Sequence, residues 1–231
     1  MSKTAIVTGA AGAIGSVVAA RFAEADWHLA LLDYGSDHAA TLRAQHPDAL
    51  VFDVDLTDAA ATREVFREIN KQQPSLDAVL NIAGGFAMQP VAEASEDDLA
   101  HMHRLNFHTL FNTTRAALPI MMEQESGFLM GVAAAAALDG AAGASLYAAT
   151  KASVAAYLKS LHAEVRDAGL RASVLYPMGV VDTPANREAM PDADPETWIS
   201  RSEIAAHMYH MASIGRRGHV RELQVFAPGI A

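Results

Sequence analysis

Short apolar runs alternate along this chain with longer stretches whose apolar residues return at helical spacing. TAIVTG (4–9) reads as a buried strand running into glycine, and AIGSVVAARFAEA (13–25) as the helix after it. HLALLD (28–33) predicts a second strand, followed by a short helix near 36–46, and ALVFDVD (49–55) a third. DAAATREVFREINKQ (58–72) predicts a helix opened by Thr57 or Asp58 as cap, and LDAVLNIAG (76–84) a fourth strand. A long helix is expected over 96–124, starting near Ser95 with acidic residues in its first turn. GFLMGVA (127–133), LRASVLYP (170–177) and ELQVFAP (222–228) complete the strands, with helices at 145–167 and about 202–212.

This alternation implies a Rossmann-type, doubly wound parallel α/β sheet of about seven strands with helices on both faces. No linker is long enough to separate domains, so one dinucleotide-binding domain is expected over 1–231. The stretch 178–200, with Pro184, Pro191 and Pro195, reads as a lid over a site rather than a boundary.

Composition narrows the function classes. A formal charge of −10 and the absence of a basic stripe argue against nucleic acid as a partner. Without cysteine, disulfides, thiolate metal sites and thiol catalysis are excluded, which fits a cytoplasmic protein. The apolar stretch Ala5–Ala20 is broken by Thr8, Gly9, Gly12 and Gly15, which disfavours a signal peptide. No segment has the roughly 20 apolar residues of a membrane span.

TGAAGAIG (8–15) lies at the first strand-to-helix turn. Glycine there lets backbone approach a pyrophosphate, and the helix start offers free N–H groups. Asp33 ends the second strand, where a carboxylate accepts bonds from the ribose hydroxyls of NAD and repels the extra phosphate of NADP. No Arg or Lys follows at once, so NAD(H) is the expected cofactor. Asp55 in DLTD (55–58) is placed to bond the adenine amino group, with Leu56 beside it. Asn81, Ala83 and Gly84 of NIAG (81–84) close the fourth strand beneath the adenosine ribose.

Tyr147 and Lys151 are four apart on a predicted helix and so share a face. A free tyrosine titrates near ~10 and is a poor acid–base group at neutral pH. A neighbouring ammonium favours the phenolate and should lower that pKa. The lysine can also bond the nicotinamide ribose.

TGAAGAIG, LLD, DLTD, NIAG, Asn106 in LNFHTLFN and YAATK occur in the order and spacing of one family, and the whole chain resembles the short-chain dehydrogenase/reductases. The resemblance implies that Asn106 holds the water of a proton relay running through Lys151 to Tyr147. It also implies contacts to the cofactor from Gly9, Gly12, Ala13, Ile14 and Gly15, and from Pro177, Val180 and Thr183 of the carboxamide loop PMGVVDTP (177–184). A homodimer or homotetramer through the helices at 96–124 and 145–167 is implied as well.

Two positions depart from that family's pattern: Ala13 replaces a glycine of the turn, and Ala134 stands where the family's serine bonds the substrate oxygen. A member group, the quinonoid dihydropteridine reductases, shares both departures, and GAIGS (12–16), AGGF (83–86), AALDG (136–140) and DTPANREAMPDAD (182–194) are similar to it. That resemblance implies NADH and a quinonoid dihydropterin-like substrate near Ala134, Gly85 and Phe86. Asn106 departs from the member group, and the carboxamide loop is one residue longer than the family's common P-G-x-x-x-T loop. A ketone, alcohol or imine reductase therefore stays open, as does a non-catalytic NAD(H)-binding sensor or scaffold.

Met88, Met178, Met190 and Trp198 could line a flat apolar substrate pocket or simply fill core. His207 and His210, and His101, His103 and His108, have no carboxylate or cysteine partner at ligand spacing, so no metal is expected. Arg216 and Arg217 read as solvated.

Overall fold

In the computed structural model, β1 (Thr4–Thr8) pairs in parallel with β2 (His28–Asp33) on one side and β4 (Ala78–Asn81) on the other. The structure describes residues 2–215 and 217–229. β3 (Leu50–Asp53) continues the sheet beyond β2, while β5 (Gly127–Val132), β6 (Leu170–Met178) and β7 (Glu222–Phe226) continue it beyond β4. The order is β3-β2-β1-β4-β5-β6-β7 and every pairing is parallel, a Rossmann-type doubly wound sheet.

Successive strand residues face opposite ways, so a parallel sheet covered on both sides needs strands that are apolar throughout. Ala5, Val7, Leu29, Leu31 and Leu80 enter one core with Phe22 of α1 (Ala13–Ala23), Leu42 of α2 (Ser36–Gln45) and Met208 of α9 (Arg201–Ser213). Ile6, Ala30, Leu32 and Val79 enter the other, with Phe66 of α3 (Ala59–Gln72), Leu110 of α5 (Thr109–Glu123) and Leu158 of α7 (Ser145–Val165). Gly131 sets how closely two of these helices lie. A Cβ there would fall 2.6 Å from Leu110 Cδ1 and 2.7 Å from Leu158 Cδ1.

Of the two candidate caps for α3, Asp58 serves: its Oδ1 accepts from Ala60 N at 2.7 Å and Ala61 N at 3.0 Å. The stretch expected as one helix over 96–124 is α4 (Glu96–His103), opened by a Ser95–Asp98 capping box, then a π-helical turn Arg104–His108, then α5. Periodicity cannot register one widened turn, because the apolar face resumes after it. The alanine run continues into a short helix α6 (Ala136–Asp139) that stops at Gly140, φ 73°.

The stretch 178–200 is more ordered than its prolines suggested. Thr183 caps α8 (Pro184–Ala189) through Asn186 N at 3.1 Å, and Pro184 sits where a missing N–H costs nothing. Its two ends are tied together, with Ile199 N donating to Val180 O at 2.8 Å and Asp182 N to Ile199 O at 2.9 Å. Arg217 is exposed, as expected, and Arg216 lies outside the described residues. Among the described residues no helix is long and apolar enough to cross a membrane, and no group of three His, Asp or Glu gathers as for a metal.

Beneath the sheet, Ser173 Oγ donates to Val220 O at 2.7 Å and lies 2.9 Å from His219 Nε2. The His219 ring is 4.5 Å from that of His162. Burial, then the neighbouring His162, Arg171 and Arg221, push His219 down to about 4. Burial and two arginines also lower His162. An unfolded histidine takes its proton near ~6.5. Between that value and about 4 the unfolded chain therefore binds more protons than the folded one. The stabilisation is full above pH ~6.5 and is lost as pH falls from there towards 4. After allowance for the solvent reaching these half-buried rings, the loss should be roughly 1–2 kcal/mol. Urea unfolding at pH 7.5 and pH ~4.5 measures it; His219→Gln should shrink the difference, and an undiminished difference would exclude the pair as its cause.

Candidate active site

β1 is bonded on both sides, and the chain leaves it for α1 while the chain leaving β4 turns the other way. That divergence opens a crevice at the carboxyl ends of the strands. Thr8, the last residue of β1, spans it. Its Oγ1 accepts from both Ile82 N and Ala83 N at 3.0 Å, fixing the NIAG turn to the glycine-rich turn.

The glycine-rich turn is shaped by contact. Gly9 has φ +62°, and a Cβ there would lie 2.9 Å from Ala83 Cα. A Cβ on Gly15 would lie 2.0 Å from Gly9 O, so only glycine lets α1 start this close to the turn. α1 has no side-chain cap, unlike α3 and α4, and no acidic residue in its first turn, where α4 has three. Ala13 and Ile14, which open it, leave its N–H groups for an anion such as a pyrophosphate. The residues thus fit a dinucleotide.

Asp33 braces the same turn. Its Oδ2 accepts from Ala11 N at 2.8 Å and its Oδ1 from Tyr34 N at 2.8 Å, with His38 Nδ1 3.0 Å from Oδ1. Asp55 Oδ1 accepts from Thr57 N and Thr57 Oγ1, which leaves the carboxylate exposed at the end of the crevice above buried Leu56. Asn81 is turned inwards: its Nδ2 donates to Met130 O at 2.9 Å and its Oδ1 accepts from Thr113 Oγ1 at 2.5 Å. Its side chain therefore holds β4 to its neighbours, and any part it has in ligand binding runs through the backbone.

Lys151 and Asn106 meet at Gly84. A Cβ on Gly84 would be 2.6 Å from Asn106 Oδ1 and 3.5 Å from Lys151 Nζ. Asn106 clips Gly85 at both ends, with Gly85 N donating to Oδ1 and Nδ2 donating to Gly85 O, each at 3.1 Å. Nδ2 also reaches Met102 O, four residues back, at 3.4 Å. The asparagine sits in the π turn, and widened turns of this kind often mark functional positions.

Lys151 is 8 % exposed and donates to Val132 O at 2.9 Å. Its Nζ lies 5.8 Å from the centroid of the Tyr147 ring. Burial lowers Lys151 to about 8 and raises Tyr147 to about 12. The expected lowering of the tyrosine by the lysine is absent from this geometry: desolvation outweighs the ammonium, and Tyr147 is held as a neutral phenol.

Ala134 follows β5, between Ala133, whose N–H donates to Leu175 O at 2.9 Å, and Ala135, whose N–H donates to Pro177 O at 3.1 Å. A methyl group therefore ends this strand. Phe86 stands edge-on to Tyr147, with centroids 4.9 Å apart, and is 63 % exposed. Gln89 N donates to Gly143 O at 2.6 Å, joining the loop after β4 to the turn before α7. Met88 is also exposed, and its Cε would lie 3.4 Å from a Cβ on Gly143. Met178 is half-buried against the core, Met190 lies at the exposed end of α8, and Trp198 is buried at the foot of the 178–200 segment. Trp198 thus has the burial of a core side chain. Pro177 is buried in β6 opposite Val225, with Val180 and Thr183 half-buried beyond it.

The Thr8 clamp, the Val132 carbonyl under Lys151 and the His38–Asp33 contact were not foreseen. A threonine closing an apolar strand just before the glycine turn was the one legible signal.

Residues 3–194 match the model of the family described as short chain dehydrogenase. The chain belongs to the short-chain dehydrogenase family. A 2,3-dihydro-2,3-dihydroxybenzoate dehydrogenase of Bacillus subtilis (strain 168) is 28 % identical over 76 % of this chain and 69 % of its own. A 1-deoxy-11-beta-hydroxypentalenate dehydrogenase of Streptomyces exfoliatus is 32 % identical over 88 % and 77 %. A 2-dehydro-3-deoxy-L-rhamnonate dehydrogenase (NAD(+)) of Sphingomonas sp. (strain SKA58) is 32 % identical over 76 % and 71 %. The solved structure "ElxO with NADP Bound" superposes with a TM-score of 0.91 at 20 % identity over 98 % of both chains, a likeness of fold. The relatives differ in substrate, so membership establishes an oxidoreductase that uses a nicotinamide cofactor and leaves the choice of cofactor and substrate open.

Gly84→Ala tests the junction. It should cost about 1–3 kcal/mol of stability by overpacking. It should also lower turnover by a further factor of about 100, because small displacements of reacting groups are that costly. Denaturant unfolding and steady-state rates on the same sample separate the two; full turnover in a destabilised variant would show that the junction only packs.

Proposed function

We propose that the chain is an NADH-dependent reductase whose acceptor is a conjugated ring of the quinonoid dihydropterin type. The observation that carries this reading is Ala134: just past the end of β5, two residues beyond the Val132 carbonyl that holds Lys151, the chain carries a methyl group where a hydroxyl would serve a carbonyl oxygen. Hydride addition to a ketone concentrates negative charge on one oxygen, and losing one donor to such charge typically costs about 10²–10³ in rate. Hydride addition to a quinonoid ring restores conjugation and spreads the charge over several atoms, so one proton donor suffices.

When bound, the reduced nicotinamide supplies the hydride. In this reading Gly9, Gly12, Ala13, Ile14 and Gly15 hold the pyrophosphate, and Asp33 takes the ribose. Asp55, Leu56, Asn81, Ala83 and Gly84 line the adenosine side, and Pro177, Val180 and Thr183 the carboxamide side. Tyr147, neutral because it is buried, gives its proton to the acceptor. Lys151 steadies the phenolate left behind, and Asn106 fixes the Gly84–Gly85 backbone over which water resupplies the proton. Gly85, Phe86, Met178 and Met190 form the walls of the acceptor site; the exposed Phe86 ring suits a flat partner. Assembly as a homodimer or homotetramer belongs to the same proposal. Its support is the half-buried aromatic cluster of Phe107 on the π turn, Phe111 on α5 and Tyr157 on α7.

A ketone, alcohol or imine substrate is the second reading. It is favoured by Asn106, clipped into the π turn beside Lys151, and by relatives named as dehydrogenases.

NADH oxidation with freshly generated quinonoid dihydropterin, beside NADPH and a panel of ketones, decides between them. Rapid turnover of the pterin with NADH, abolished by Tyr147→Phe combined with Lys151→Ala and changed less than about tenfold by Ala134→Ser, is the expected result. No pterin turnover, together with ketone turnover that rises on Ala134→Ser, would establish the second reading.

The pH profile tests the lysine separately. Lys151 loses its charge near pH 8, so turnover that depends on the ammonium should decline above about that pH. A rate that stays flat well above it would remove the ammonium from the mechanism.

A further inference from the structure

Asp33 does not meet solvent alone. His38, on the first turn of α2, places Nδ1 3.0 Å from Asp33 Oδ1, the oxygen not used by the glycine-rich turn. The carboxylate side chain is 12 % exposed and the imidazole 59 % exposed, so His38 covers Asp33 from the solvent side. The other charge acting on the ring is acidic as well, Asp37 on its own helix; Asp53, at the end of β3, accepts from Gly35 N at 2.7 Å through its Oδ1. Arg43, further along α2, is turned to Val51 O at 3.2 Å. Residues 34–38 are Tyr-Gly-Ser-Asp-His, so His38 is the one group of this segment that can become a cation.

The end of β2 is where dinucleotide folds separate a ribose diol from a 2′-phosphate: a carboxylate bonds the hydroxyls, and a cation accommodates the phosphate. We propose that His38 makes cofactor choice depend on protonation. Neutral, it leaves Asp33 as a full negative charge that favours the diol of NADH and repels NADPH. As an imidazolium it offsets that charge and offers a donor to a 2′-phosphate, so discrimination relaxes. This extends the NAD(H) reading above and rests on it.

The hydrogen bond to Asp33 and its charge raise the pKa of His38 above its ordinary value. The change therefore falls in the window just above pH ~6.5. Exposed charge pairs are modest, so the preference for NADH over NADPH should shrink by about 3- to 10-fold on going from pH 8.5 to pH 6.5.

The test is binding, read by quenching of intrinsic fluorescence, for NADH and NADPH across that range in the native protein and in His38→Gln. His38→Gln removes a solvent-facing ring and leaves the fold and the phosphate's own titration in place, so the comparison isolates the imidazole. An affinity ratio that moves with pH in the native chain and stays nearly flat in the variant supports the proposal. A ratio that moves equally in both, or in neither, overturns it. NADPH binding more tightly at every pH would instead overturn the NAD(H) reading, while the difference in slope between the two proteins still decides the role of His38. NMR titration of His38 without cofactor gives a second readout: its pKa should drop on Asp33→Asn, and an unmoved pKa would also overturn the proposal.

Discussion

The structure depends on the double pairing of β1. Because β1 bonds both β2 and β4, the connection leaving β1 covers one face of the sheet and the connection leaving β4 the other, so the loops at their carboxyl ends diverge. A crevice at the strand ends follows from that topology before any side chain is chosen. What the side chains add is control of its width. Thr8 draws the two loops together through Ile82 N and Ala83 N, and Gly9 allows contact that a Cβ would prevent. Gly15 does the same for α1. Cofactor geometry is thus set by where side chains are missing as much as by where they are present.

The same logic governs the other half of the site. Gly131 lets α5 and α7 lean onto β5, and this closeness brings Lys151 within hydrogen-bond reach of the Val132 carbonyl. Gly84 and Gly85 leave room for Asn106 to reach backbone instead of side chains. The π turn is the cost of that reach: one extra residue in the turn rotates Asn106 under the loop after β4, while α4 packs on α7 and α5 keeps its apolar face on the sheet.

Much of this was legible in the sequence, because most of it follows from period and punctuation. Unbroken apolar runs such as Ile6–Val7 and Leu29–Leu32 have no other stable home than a two-sided parallel sheet, and glycines at 9, 12 and 15 mark the turn that ends the first. Features set by a single contact between distant segments were not legible. Nothing local distinguishes Asn106 from an ordinary helix residue, and its partner across the widened turn, Gly85, lies 21 residues away in the sequence. α8 was hidden because it is only six residues long inside a proline-bearing stretch, with Pro184 at its first position, where proline is permitted. The direction of the Tyr147 shift was missed for a related reason. Spacing reveals a neighbour, whereas desolvation depends on everything packed around the pair.

That last point bears on how a site lacking the serine can work. Lys151 is buried against a carbonyl with no carboxylate partner among the described residues, so its charge is poorly compensated. Tyr147 is equally reluctant to ionise. Each strain is relieved by the same event, because a phenolate beside an ammonium is an ion pair where before there was a lone buried charge. In the proposed mechanism, proton donation by Tyr147 therefore becomes easier as the acceptor draws on it, without a preformed anion waiting in the ground state. A serine hydroxyl would supply a second donor to a localised oxyanion. With Ala134 in its place, the proposed reading is that the site suits acceptors that hold their new electrons over many atoms and ask for one proton.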